Sequence, residues 1–299
     1  MLHKISTAFV LLAYATSAVA DAPKGPISLK PTSAWHVDYA EDRCRLARQF
    51  GADDELVYAF FDRYGPEESF RLTLAGKPVR VSLDKGEASV QFGPAEEEQK
   101  FSFLKGNLGE QTAIVFSSGE RIGPPTPAER QRLNSAKPDE PRTVEPISAE
   151  RKKAVRFMKI GRPLRNEVIL ETGSMNGPLK ALDTCIDNLM TVWGIDVERH
   201  RTLTRSVRPA NNPGQWVVAA DYPLNMLSAG QPAIIEFRLS VGADGKATAC
   251  HIQSTTRPKE FDDAVCKSVM RRAQFVPALD REGKPLASFY RNRVRFEIP

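Results

Sequence analysis

The chain has 299 residues, with 42 Lys+Arg against 37 Asp+Glu, a net charge of +5, 41% hydrophobic and 26% charged residues. That apolar content is too high for a disordered chain, and the composition excludes collagen-like, coiled-coil and multi-span membrane architectures. The length predicts two domains.

The first residues predict the compartment. Lys4 precedes an apolar stretch from Ile5 to Val19, which ends in Ala18-Val19-Ala20, a small-x-small cleavage site. This is the layout of a secretory signal peptide, with cleavage after Ala20. The stretch is interrupted by Ser6, Thr7, Tyr14, Thr16 and Ser17, and is shorter than the roughly 20 apolar residues that spanning requires. The mature protein is therefore expected to be exported and soluble.

Residues 21–32, with Pro23, Gly25, Pro26 and Pro31, are predicted to be a flexible lead-in. From 33 to 200 a β-rich domain is expected. Asp42 to Phe50 reads as a helix or loop carrying Cys44. Beyond it, Phe70/Leu72/Leu74, Val79/Val81/Leu83, Val90/Phe92, Phe101/Phe103 and Ile114/Phe116 alternate with polar residues between Gly and Pro turn signals. Such runs predict a half-buried antiparallel sheet. A Pro-rich segment at 121–147 is expected to be an extended, solvated excursion. A helix from Ala149 to Met158 and a strand near Glu167 to Glu171 follow. The clearest helix is Pro178 to Trp193, with an apolar stripe at Leu179, Leu182, Ile186, Leu189 and Trp193 and Gly194 placed to cap it. Residues 201–216 read as a linker.

The remainder, 217–299, follows a β-β-α-β order. Ile235, Phe237, Leu239 and Val241 share one face of a strand from Ala233 to Val241, and Ala243-Asp244-Gly245-Lys246 makes a hairpin turn. Ala247 to Ser254 is the second strand, Glu260 to Arg272 a helix, and Phe289 to Ile298 the third strand. The fold class is thus α+β, a β-rich N-terminal domain with added helices followed by a small β-β-α-β unit. Export makes two disulfides the expected use of Cys44, Cys185, Cys250 and Cys266, for which three pairings exist. Cys250 shares the parity of Ile252 and should face the helix that carries Cys266, which leaves Cys44 with Cys185, one staple per domain. No Cys-x-x-Cys occurs and the histidines are scattered, so no metal or cofactor is expected.

The ordered set Tyr222-Pro223, Gly230, the strand to Val241, Asp244-Gly245, Ile252, Ser254, Phe261-Asp262, Ala264-Val265, Phe275-x-Pro277-Ala278 and Gly283-x-Pro285 resembles the C-terminal domain of the TonB energy-transducer family. The resemblance covers residues 217–299. It implies a periplasmic binding module that receives an extended segment of an outer-membrane receptor as an added strand. By position the receiving edge is the last strand, at Tyr290, Arg291, Arg293 and Arg295, whose arginines alternate with Asn292, Val294 and Phe296. A cleavable leader and a short Pro-rich segment depart from the membrane-anchored transducers of that family. The alternative is an envelope adaptor that binds peptidoglycan or another periplasmic protein. Its support is the mildly basic C-terminal segment, with 12 Lys+Arg against 9 Asp+Glu over 217–299. Nucleic acid is not an expected partner, since Trp35, Trp193 and Trp216 form no stacking series.

No enzyme is predicted, although activity in the N-terminal domain is left open. Thr172-Gly173-Ser174 lacks the glycines of a nucleophile elbow and reads as a strand-to-helix turn. The acidic runs Asp53-Asp54-Glu55 and Glu96-Glu97-Glu98 read as solvated loops. His251 and Cys250, as neighbours in a strand, should face opposite ways.

Overall fold

The computed structural model describes residues 25–117, 119–135, 144–255 and 258–298. The leader and its cleavage site lie outside the described residues. The fold is α+β. Among the described residues no helix is long and apolar enough to cross a membrane.

Ten strands make the first sheet: β1 (Ile27–Leu29), β2 (His36–Tyr39), β3 (Cys44–Phe50), β4 (Val57–Arg63), β5 (Arg71–Gly76), β6 (Lys85–Phe92), β7 (Gln99–Leu108), β8 (Gln111–Phe116), β9 (Met158–Ile160) and β10 (Val168–Leu170). Their order is β1-β10-β9-β6-β7-β8-β5-β4-β3-β2. The two ends of that order are one run of chain. β1 pairs in parallel with β10, Pro31 bridges Phe50 of β3, and β2 continues along β3. The Thr32 N–H donates to Gln49 O at 3.0 Å and the Gly51 N–H to Lys30 O at 2.8 Å. The sheet therefore closes into a barrel, which leaves few open backbone edges. Alternate residues point inward, among them Leu46, Phe61, Leu72, Leu74, Val90, Phe92, Phe101, Ile114 and Phe116. Their rings meet edge-on, as in Phe61–Phe70 at 5.0 Å and Phe101–Phe116 at 5.8 Å.

Helices α1 (Pro127–Ser135), α2 (Ala149–Ala154), α3 (Asn176–Val192) and α4 (Val197–Arg201) complete this part. α3 buries Leu179, Leu182, Cys185, Ile186 and Leu189 and packs on β2 and β3. A disulfide joins Cys185 to Cys44 at the start of β3. Arg63, at the end of β4, forms an ion pair with Asp183 on α3. Gly194 closes the helix at φ 76°.

Beyond 201 come α5 (Leu224–Ser228), α6 (Lys259–Arg272) and the strands β11 (Arg208–Pro209), β12 (Ala233–Val241), β13 (Ala247–Thr255), β14 (Phe275–Val276), β15 (Ala278–Leu279), β16 (Pro285–Leu286) and β17 (Ser288–Phe296). β12 is central in a three-stranded antiparallel sheet, ordered β13-β12-β17. Its inner face, with Ile235, Phe237, Leu239 and Val241, forms a second core with Phe261, Val265 and Val269 of α6. The Cys250–Cys266 disulfide fastens that helix to β13. Gly245 turns the hairpin at φ 78°, and a Cβ there would stand 2.3 Å from Phe275 O, so only glycine fits.

Several elements differ from the sequence expectation. Asp42 to Phe50 is mostly strand β3, in which Cys44, Leu46 and Phe50 are buried. Val79 and Val81 are buried but outside any strand. Lys77–Val79 is a 3-10 turn, and Pro78 has no N–H for a ladder. Lys85 and Gly86, read as a turn, open β6. The helix expected to reach Met158 stops at Ala154, and Met158 begins β9, buried beside Phe92 of β6. Residues 27–32, read as flexible, are barrel wall. In the segment read as a linker, β11 pairs with β14, Arg205 bridges Leu279 and Trp216 is buried in the second core. The Pro-rich segment is anchored at both ends, with Ile122 and Ile147 buried in the first core, and none of the residues of α1 between them is buried.

Candidate functional site: the edge strand and the docked sheet face

The C-terminal sheet has two faces. The side chains of β12 that point away from α6 are Ile234, Glu236, Arg238 and Ser240, and a sheet with one covered face normally shows such residues to water. Here the barrel covers them instead: Glu236 is 7% exposed and Arg238 2%. Arg238 lies over the Trp193 ring at 3.9 Å, donates to Ser240 Oγ at 3.1 Å and reaches Asp42 Oδ1 at 3.5 Å. The stacking compensates part of the desolvation of the guanidinium, whose proton affinity burial lowers. Glu236 forms an ion pair with Arg71 of β5, which also donates to Ser254 Oγ at 2.9 Å.

β13 contributes through a bulge. Glu236 pairs with Ser254 but Phe237 with Ile252, so Gln253 is the extra residue. A bulge turns neighbouring side chains toward one side, and both Gln253 and Ser254 bond the barrel. Gln253 Nε2 donates to Asp42 O at 3.1 Å and Tyr64 O at 3.3 Å, and its Oε1 accepts from Arg291 Nε at 2.8 Å. The junction continues through Phe289, which meets Trp193 edge-on at 5.5 Å and stacks on His200 at 5.4 Å. Burial lowers the His200 pKa, which favours the neutral ring that contacts Ser288 Oγ at 3.1 Å. Arg199 forms an ion pair with the buried Asp280 and holds its carboxyl below the ordinary range.

β17 pairs with β12 over all nine of its residues, from Ser288↔Val241 to Phe296↔Ala233. Among the described residues no strand pairs with its other side. Arg293 N–H donates to Asn292 Oδ1 at 2.8 Å, so it points outward, away from β12. Alternation gives Arg291 and Arg295 the same outward backbone direction.

The four residues expected to receive a partner divide into two pairs. Tyr290 packs between Trp216 at 5.5 Å and Phe275 at 5.2 Å, and burial raises its phenol pKa. Arg291 is held by Gln253, lies over Tyr64 at 5.4 Å and reaches Glu67 at 3.6 Å. Arg293 and Arg295 are exposed, with Arg295 near Glu297 at 3.2 Å. The docked face formed by Glu236, Arg238 and Gln253 was not singled out in the sequence, where those residues have the pattern of an ordinary solvated face.

The remaining candidates have structural roles. Thr172 O accepts from Arg48 Nη1 at 2.8 Å and from Trp35 Nε1 at 3.3 Å, and Gly173 turns at φ 63° into α3. Glu96 is buried in a bidentate pair with Arg151, at 3.0 and 2.6 Å. Asp53–Glu55 is a 3-10 turn. His251 faces Arg238 in the ladder, while Cys250 on the other face is bridged to Cys266.

Residues 218–298 match the family model described as Gram-negative bacterial TonB protein C-terminal. The matched segment is the C-terminal sheet with its helix, just over a quarter of the chain. Domains of this family are non-enzymatic and interact with proteins of the bacterial envelope, outer-membrane receptors among them. The comparison with curated proteins finds no match.

Proposed function

We propose that this is a periplasmic binding protein in envelope transport, whose TonB-like domain takes an extended segment of an outer-membrane receptor along the outer edge of β17. The observation that carries this reading is the nine-residue strand that, among the described residues, is hydrogen-bonded on one side alone. An added strand gains affinity from backbone bonds and selectivity from side-chain contacts. The exposed Arg293 and Arg295 favour an acidic segment. The barrel covers one face of the sheet and holds Arg291 through Tyr64 and Glu67, while Trp216 and Phe275 of the second core hold Tyr290.

The test is a titration of the mature chain with peptides from receptor plug segments. Arg293→Pro removes the outward N–H without touching the β12 ladder, and should weaken binding about tenfold or more, the scale of one lost backbone bond plus a steric block. Sedimentation with peptidoglycan in the absence of any peptide binding contradicts the reading.

A further inference from the structure

The junction leaves a cavity of about 500 Å3 on the side of the sheet opposite to β17. That volume is in the usual range for small-ligand sites, roughly 300–1,000 Å3. One wall is the barrel, with Arg43, Arg45 and Arg71. The other is the bulged end of β13 with Ser254, and Asp262 from the first turn of α6.

The guanidinium groups are not equally engaged. Arg45 makes two hydrogen bonds to Asp62, at 2.6 and 2.9 Å. Arg71 is held by Glu236 and Ser254. Arg43 has only ion pairs at 3.8 Å, to Asp38 and Asp62, and its buried Nε–H has no hydrogen-bond partner. Asp62 is already taken by Arg45, so of the three arginines Arg43 is the least engaged beside the cavity. Opposite, the Asp262 carboxyl takes a hydrogen bond from Thr255, and its buried Oδ1 has no hydrogen-bond partner. A buried donor and a buried acceptor left open in one cavity fit a ligand that presents both an anionic oxygen and an N–H. Among the described residues β13 pairs with β12 alone, so its outer edge offers backbone groups beside them.

We propose that this cavity is a second peptide site, which takes the terminal carboxylate of an extended peptide on Arg43 and a backbone N–H of the same peptide on Asp262. The carboxylate gains a charge-assisted bond from a partly exposed guanidinium whose buried Nε–H is otherwise unpaired. The site lies on the opposite edge of the sheet from β17 and does not rest on the receptor reading.

The experiment is fluorescence anisotropy on the mature chain at low salt. The probe is fluorescein-labelled hexaalanine ending in a free carboxylate, or in a carboxamide. The acid should bind at least tenfold more tightly than the amide, and Arg43→Gln should remove that difference while leaving the melting temperature unchanged. Arg293→Pro should leave the difference intact, which separates this site from the β17 edge. Equal binding of acid and amide, no binding of either, or a preference that survives Arg43→Gln overturns the proposal. Displacement of the acid by millimolar inorganic phosphate also overturns it, since the site would then be a simple anion site.

Discussion

Arg238 is a buried cation in the junction: its side chain is 2% exposed, its nearest carboxylate is 3.5 Å away, and its Nε has no hydrogen-bond partner. Removing one member of such a pair leaves a buried charge uncompensated, whereas replacing the cation by an apolar chain does not. Asp42→Ala should therefore destabilise by about 3 kcal/mol, and Arg238→Met by clearly less. Urea unfolding of both variants checks the order, and a larger loss in Arg238→Met counts against the account. A residue with a pH signature is Glu120, bridged to Phe70 at the barrel wall, where desolvation raises its pKa from 4.5 to about 7. The folded state thus prefers the protonated acid. Stability tied to this group is complete below pH 4.5 and is lost as pH rises through about 7. Glu120→Gln should raise the melting temperature relative to wild type at pH 8 and leave it unchanged at pH 4. A gain of equal size at both pH values contradicts the assignment.

Among the elements, the two disulfides close loops of very different length, with sequence separations of 141 and 16 residues. In the chain-entropy model these are worth about 5 and about 3 kcal/mol respectively, as upper bounds. Cys44→Ala/Cys185→Ala should therefore lower barrel stability more than Cys250→Ala/Cys266→Ala lowers that of the C-terminal sheet, measured by denaturant unfolding with a separate probe for each part. The elements also show which signals a sequence carries. β5, β7, β8 and β12 were legible because one face is apolar and the period is two. β3 was not, since Arg48 shares the parity of Cys44, Leu46 and Phe50 and interrupts their apolar face. Arg48 lies 5.3 Å from the Trp35 ring and Arg45 4.7 Å from Phe60, so these charges sit on aromatic surface within the fold. Val79 and Val81 alternate correctly, yet Pro78 and a 3-10 turn keep them out of the ladder. The cysteine parity argument depended only on local strand and helix directions, and those are what a sequence expresses best.

At the scale of the molecule, the barrel and the TonB-like sheet meet through polar groups far apart in sequence, such as Arg71 with Ser254 and Gln253 with Asp42. No local pattern marks Glu236 and Arg238 as buried, because alternation gives the same signal for a face in water and a face on a polar partner. This is why the edge at β17 was legible by position while the surface that supports it was not. The junction covers one face of the sheet and, among the described residues, leaves the outer edge of β17 unpaired, the edge on which the proposed strand addition depends. Amide hydrogen exchange on the mature chain with and without a bound receptor plug peptide tests that most directly. The account predicts that the outward amides of Arg291, Arg293 and Arg295 become protected while those of β13 do not. Saturating binding with unchanged exchange at those three amides would contradict it.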